Sequence, residues 1–96
     1  MRNRRGRPCQ RRRINFAPRV RYFKPQGVKM SDLELVNISL EELEAIRLKN
    51  IQELDQRECA DRMKTSPATF QRILVRANQK IAKALSEGKA IKIEKE

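Results

Sequence analysis

Residues 55–85, DQRECADRMKTSPATFQRILVRANQKIAKAL, decide how this chain folds. Asp55-Gln56-Arg57-Glu58 has the form of a capping box: a short polar side chain, then a carboxylate three residues on, at a helix start. Cys59, Ala60 and Met63 follow as the inward side of that helix. Ala60, fifth from Gln56, puts a small side chain where two crossing helices come close. The pattern breaks at Lys64 and Thr65. Ser66-Pro67 restarts it, with an N-cap hydroxyl and a proline at the first helical position, where a missing N–H costs nothing. Phe70, Ile73, Leu74, Ala77, Ile81 and Leu85 recur at three-to-four spacing as one apolar stripe. Arg72, Val75, Arg76 and Gln79 point the other way. Two helices joined by a tight turn, the second long and basic, have the layout of a DNA-binding helix-turn-helix. The second helix of that motif enters the major groove N-terminus first. A plain helical hairpin with a solvated basic face shares the period and stays open as the alternative. The turn usually holds glycine, because a left-handed backbone is strained by a Cβ; here it holds Lys64, at a cost of about 1 kcal/mol.

Upstream, Ser39-Leu40-Glu41-Glu42 is another capping box and predicts a helix through about Asn50, with Leu40, Leu43, Ile46 and Leu48 facing inward. Three capped helices in order give a trihelical domain over residues 39–88, the first bracing the other two. Residues 31–38, SDLELVNI, read as a short strand or a lead-in to the first helix. Residues 14–30 hold Phe16, Tyr22 and Phe23, the sole tyrosine and all the phenylalanines but Phe70, punctuated by Pro18, Pro25 and Gly27. The 14–38 segment is therefore expected to be extended, its aromatics packing on the helices as a clasp. The other use of Tyr22 and Phe23, between Arg21 and Lys24, is as a stacking platform for bases. Gly88 ends the last helix. Residues 89–96 begin with alternating polar and apolar positions, like a half-buried strand that needs a partner, either 33–38 of the same chain or a second protomer. The expected fold class is mainly α: a three-helix bundle with a helix-turn-helix, flanked by an extended N-terminal arm and a short C-terminal strand.

Charge divides the chain sharply. The net charge is +11 over 96 residues, yet residues 30–96 carry 12 basic and 12 acidic side chains and are neutral. The whole excess lies in residues 1–29, with nine arginines, two lysines and no carboxylate. Within residues 39–61 seven acidic side chains outweigh three basic ones; within 62–89 seven basic side chains face Glu87 alone. A basic arm and a basic helix are two cationic surfaces that a polyanion could bridge, and arginine is the better phosphate fork. Residues 1–13 have no periodicity and dense like charge, and are expected to be a disordered arm. Arg5-Gly6-Arg7-Pro8 resembles the core of an AT-hook, which lies extended on the floor of an A·T minor groove. There the glycine admits the backbone and both arginines meet the strongly negative groove. An arm that touches phosphates only is the commoner arrangement.

What is missing also bounds the function. There is no histidine, and the two cysteines, Cys9 and Cys59, are far apart, so neither a usual zinc constellation nor a disulfide framework is expected. No metal or cofactor is expected. There is no nucleophile–base arrangement and no glycine-rich phosphate loop, and the glutamate pairs read as a solvated helix face, so no enzyme is expected. No apolar run is long enough for a bilayer and no signal-peptide pattern is present. With Cys59 read as a buried apolar residue and Cys9 in a basic tail, a reducing cytoplasm is expected, and with the DNA-binding reading, the nucleoid. A core this small leads to the expectation of a homodimer.

Several stretches together resemble a known family: GRP at 6–8, YFKPQGV at 22–28, LEELEAIRL at 40–48, QRECADRMKTSPATFQRIL at 56–74 and IAKALSEGKAIKIE at 81–94. These are similar to small uncharacterised bacterial and archaeal proteins predicted to bind DNA. Their helix-turn-helix is similar to the region of sigma factors that contacts the −35 promoter element. Lys64 and Thr65 depart from that pattern, where glycine and an aliphatic residue are more usual. The resemblance implies DNA binding, and leaves RNA polymerase open as a partner.

The residues favour double-stranded DNA as partner, and a transcription regulator as function. Ala68, Thr69, Gln71, Arg72 and Arg76 are the candidate groove-facing side chains. Arg72 is the first candidate for a bidentate contact with guanine, and Gln71 for adenine. Arg62, Lys64, Thr65, Ser66 and Lys80 suit phosphates, the hydroxyls at the positive end of the helix. Arg5 and Arg7 suit the minor groove. RNA binding through the arm and Tyr22/Phe23 is the main alternative, and docking on RNA polymerase another.

Overall fold

The structure, a computed structural model, describes residues 18–95. The 1–13 arm, with Arg5 and Arg7, and Phe16 lie outside the described residues.

A long helix, here α3 (Pro67–Glu87), is the spine of the domain. Ser66 caps it: its Oγ accepts from the Thr69 backbone N–H at 3.1 Å, and Pro67 occupies the first turn. Gly88 closes it in the left-handed conformation, φ 67°, as a glycine can without strain. Phe70, Ile73, Leu74, Ala77 and Ala84 are buried along its inner face. Leu85, expected in that stripe, is 75% exposed, and Ile81 is half-buried. Helical geometry accounts for this. Leu85 lies about 80° around the helix from Ala77, whereas Ala84 is only about 20° off it.

Two short helices pack on this spine. The first, α1 (Leu40–Ile46), begins with the full capping box, Glu42 N–H to Ser39 Oγ at 3.1 Å and Ser39 N–H to Glu42 Oε1 at 2.9 Å. It runs on as a wider π-helical turn, Arg47–Ile51, which places Leu48 in the core. Leu40, Leu43 and Ile46 are half-buried rather than buried. The fully covered positions are Ala45 and two carboxylates, Glu42 at 2% and Glu44 at 0% exposure. The expectation of a solvated glutamate face is therefore corrected, because each carboxylate has a cation to meet it. Glu44 takes both arms of Arg47, Nε at 2.8 Å and Nη2 at 3.0 Å, and Glu42 takes Lys80 at 2.9 Å.

The second, α2 (Gln56–Arg62), is capped by Asp55, which accepts from Glu58 N–H at 2.8 Å. Cys59, Ala60 and Met63 are buried, as the sequence predicts, against Phe70, Ile73 and Leu74 of α3 and Ala45 and Leu48. The link to α3 is short and well defined. Thr65 N–H bonds to Ala60 O at 3.0 Å and Lys64 N–H to Asp61 O at 3.1 Å, the paired bonds of a Schellman closure. Lys64 takes the left-handed position that closure needs, φ 58°.

Three short strands lie on the other side of α3: β1 (Tyr22–Phe23), β2 (Leu35–Ile38) and β3 (Ala90–Ile93). Their order is β1-β3-β2, so the C-terminal strand is central. It runs parallel to β2, with Ile38 beside Ile93, and antiparallel to β1, with Tyr22 beside Lys92. Both its edges are filled within the chain, and of the two partners the sequence left open it is 35–38 of the same chain that pairs with it. Ile38, Ala90 and Ile93 complete the core. The aromatic clasp is corrected too: Tyr22 and Phe23 are 51% and 53% exposed. They form an edge strand, whose neighbouring side chains point to opposite faces, so both cannot turn inward. Phe23 borders a shallow cavity of about 220 Å³ with Pro25, Leu85 and Ile91.

Candidate nucleic-acid interface

The outer face of the first half of α3 is where the candidate residues gather. Ala68, Gln71, Arg72, Val75 and Arg76 are exposed there, on the side opposite Phe70, Ile73 and Leu74. Ser66 is exposed at the helix start, with Thr65 and Thr69 half-buried beside it. Arg62 and Lys64, from the end of α2 and the turn, are exposed next in sequence to this start. Lys64 in particular is turned out by its left-handed backbone. Nine of the predicted contact residues thus come from one continuous segment, 62–76: the last residue of α2, the turn, and the first half of α3.

Hydrogen bonds order this surface. Ser66 Oγ donates to Thr69 Oγ1 at 3.0 Å while accepting the Thr69 N–H. Arg72 Nη2 donates to the same Thr69 Oγ1 at 3.3 Å, so the guanidinium is held over the first turn of α3. Gln56 Nε2, from the first residue of α2, donates to Pro67 O at 3.1 Å and ties the starts of the two helices together. Nothing in the local sequence singles out Gln56, since its partner is eleven residues away across a turn.

Lys80 is set apart from this group. Its ammonium donates to Asn37 O at 2.8 Å and to Glu42 Oε1 at 2.9 Å, which pins the middle of α3 to β2 and α1. Arg76 stands between the two situations: 53% exposed, with Nε 3.8 Å from Glu42 Oε2. Glu42 is the residue that sequence reasoning missed, and the Ser39 capping box was the one available signal that its carboxylate is used.

The rest of the domain offers less chemistry. Burial pushes the Cys59 thiol up, away from the reactive thiolate, and Sγ rests 3.6 Å from Leu54 O. The bond to Glu44 holds the Arg47 guanidinium above its already high ordinary value. Among the described residues no group of three or more His, Cys, Asp or Glu side chains could hold a metal ion, and no helix is long and apolar enough to cross a membrane.

Comparison with known proteins places the chain. A family described as "Protein of unknown function DUF134" matches residues 1–95. A UPF0251 protein of Halothermothrix orenii is 52% identical over 89 residues, covering 93% of this chain and 66% of the relative. One from Syntrophomonas wolfei is 59% identical over 83 residues, 86% of this chain and 64% of the relative. One from Desulforudis audaxviator is 49% identical over 89 residues, 93% of this chain and 58% of the relative. The chain thus spans about three-fifths to two-thirds of the length of these relatives. No solved structure matches it with significance. By the match over almost its whole length and by its identity to these relatives, the chain belongs to the DUF134 family of UPF0251 proteins.

Proposed function

We propose that this protein binds double-stranded DNA sequence-specifically, as a transcription regulator, with α2 and α3 working as a helix-turn-helix. The observation that carries the reading is the division of α3's first half. One face is core, and the opposite face is a solvent-exposed row of Ala68, Gln71, Arg72, Val75 and Arg76. That row carries two arginines and a glutamine and no carboxylate, and a helix of this width fits the major groove. The small Ala68 at the helix start lets the backbone approach a base edge or a thymine methyl. Arg62, Lys64, Thr65 and Ser66 surround the positive end of α3 and suit phosphate oxygens, which fix register rather than sequence. Arg5 and Arg7 would add phosphate or minor-groove contacts, raising affinity and its salt dependence. Lys80 is left out of the contact set, because its ammonium already has two internal acceptors.

The test is selection from a random duplex pool with the full chain at near-physiological salt. The expected result is a motif of a few base pairs per recognition helix. If the motif is a palindrome, its half-site spacing reports a dimer. Tight binding with no motif, abolished by high salt, would show that the charge matters and the readout does not. A second reading is favoured by one observation, the exposure of Tyr22 and Phe23 beside Arg21 and Lys24. These could stack on unpaired bases of RNA. RNA that outcompetes duplex DNA, with binding lost in Tyr22→Ala and retained in Arg72→Ala, would move the conclusion to RNA.

A further inference from the structure

We infer that Thr69 and Arg72 act as one reading unit, with Thr69 the positioning residue, and that the unit recognises the acceptor-only edge of guanine. The inference rests on the DNA-binding reading above and gives it a base. It starts from how the Thr69 hydroxyl is used. That oxygen has two acceptor sites and one proton. Ser66 Oγ occupies one acceptor site at 3.0 Å and Arg72 Nη2 the other at 3.3 Å. Thr69 is left able only to donate. Arg72 is donor-only by nature, and beyond the bond to Thr69 its N–H groups have no partner among the described residues. The Thr69 hydroxyl and the Arg72 guanidinium therefore present donors and no acceptor.

A donor-only surface selects its base pair. In the major groove guanine offers N7 and O6, both acceptors, to the two parallel N–H groups of a guanidinium. Adenine offers N7 beside an N6 amino group, and cytosine offers an N4 amino group. Each of those amino groups would set donor against donor, and thymine offers O4 beside a methyl group, one acceptor for two N–H groups. Leaving a donor unpaired in a desolvated groove is costly. The bond to Thr69 adds orientation. An arginine side chain is long and flexible, and ordering it on binding costs entropy. Holding it against Thr69 beforehand removes part of that cost, and removes it for one orientation only. The anchor is itself held, because Thr69 is the third residue of a capped helix and Ser66 bonds both its N–H and its hydroxyl.

Substitutions separate this arrangement from its alternatives. Thr69→Val keeps the shape and β-branching and leaves the backbone cap intact, since Ser66 Oγ bonds the backbone N–H of residue 69. Thr69→Ser restores the hydroxyl. Arg72→Lys keeps the charge and loses the planar fork. The experiment measures binding of the four full-length proteins to the selected duplex and to duplexes with each base pair exchanged, over a salt series. Melting curves of the same samples confirm that the variants fold alike. Wild type and Thr69→Ser should prefer guanine at one position by about five- to 150-fold. In Thr69→Val that preference should fall roughly two- to tenfold, the worth of one hydrogen bond. Arg72→Lys should lose most of it. The salt slope should stay the same in all four, since no phosphate contact is removed. Full guanine preference in Thr69→Val would overturn the inference while leaving the DNA-binding reading in place. So would a loss of equal size on every sequence, which would make Thr69 a phosphate contact. Absence of any motif for the wild type would overturn both.

Discussion

The two halves of α3 carry similar side chains and are used differently. Residues 66–76 have an outer face ordered mainly by bonds within the helix, Ser66 to Thr69 to Arg72. Residues 77–87 are tied to other elements: Lys80 bonds to β2 and α1, and Ala84 is buried. Arg72 on the first half meets solvent, Arg76 at its end lies 3.8 Å from Glu42, and Lys80 on the second half meets that carboxylate, of 2% exposure, at 2.9 Å. Charge on a helix is therefore a poor guide to where a polyanion binds. What distinguishes Arg72 from Lys80 is the presence in the fold of a buried acceptor within reach. The inner face of the first half packs on α1 and α2 through Phe70, Ile73 and Leu74, and Lys80 ties the second half to β2 and α1, so the outer face of the first half is the one left to solvent.

Removing the common support is the most drastic way to break the contrast. Phe70 is fully buried where α2, α1 and α3 meet, on the face opposite Arg72. Phe70→Ala should cost about 3–5 kcal/mol, a large part of the ~5–15 kcal/mol that holds a domain together. Urea unfolding would measure it, and binding should fall in step with the folded fraction. A loss well under 2 kcal/mol would mean that α3 does not depend on this core for its position.

A pair of variants then tests the two halves against each other. Lys80→Met keeps the aliphatic stem and removes the ammonium from Glu42, leaving a buried carboxylate short of a counter-charge. Breaking a fully buried pair costs about 3–5 kcal/mol; Lys80 is one-third exposed, so solvent screening reduces this to about 1–3 kcal/mol. Arg72→Ala should leave unfolding within about 0.5 kcal/mol of wild type, as exposed helix positions do. Binding should show the reverse order. Arg72→Ala should lose about 1–3 kcal/mol on the preferred site, and Lys80→Met should keep both affinity and salt slope wherever it is folded. If Lys80→Met reduces the salt slope by about one charge, its ammonium leaves Glu42 for a phosphate and the division of α3 fails.

How much of this division was legible in the sequence follows from the range of each interaction. The caps at Ser39, Asp55, Ser66 and Gly88, the turn at Lys64 and the inward Cys59, Ala60, Met63 and Phe70 are local, and periodicity with cap chemistry was enough to place them. The buried Glu42 was not legible, because its cation is 38 positions away on another helix. A carboxylate with no visible partner reads as solvated. Strand β1 is two residues long, too short for any alternation, and exists because β3 at the far end of the chain pairs with it. Leu85 was misplaced because steps of four drift around a helix of 3.6 residues per turn. For the candidate interface the same limit applies. Sequence singled out a segment, 62–76, whose candidate side chains the fold leaves exposed or half-buried on one side, but which basic residues within α3 are paired depends on tertiary contacts.

The smallest expected effect lies at the sheet end of the anchored half and shows whether charge helps hold it. Glu34, just before β2, pairs with Lys89, just before β3, next to the backbone bond from Ala90 N–H to Glu34 O at 2.9 Å. The hydrogen bond from Lys89, then its charge, holds the Glu34 carboxyl below its ordinary 4.5. The same bond, outweighing burial, holds the Lys89 ammonium above its ordinary 10.5. A carboxylate with a lowered value contributes stability that is complete above its unfolded value and disappears as pH falls through the folded one. For the ammonium the contribution is complete below the unfolded value and disappears as pH rises through the raised one. Wild type should therefore melt slightly above Glu34→Gln across the neutral range. The gap should narrow as pH falls below about 4.5, where the protonated side chain resembles glutamine. Because the Glu34 side of the pair is open to solvent, added salt should shrink the gap as well. A gap that persists in acid and in high salt would mean that Glu34 supports β2 and β3 through packing, and that the anchored half of α3 owes nothing to this ion pair.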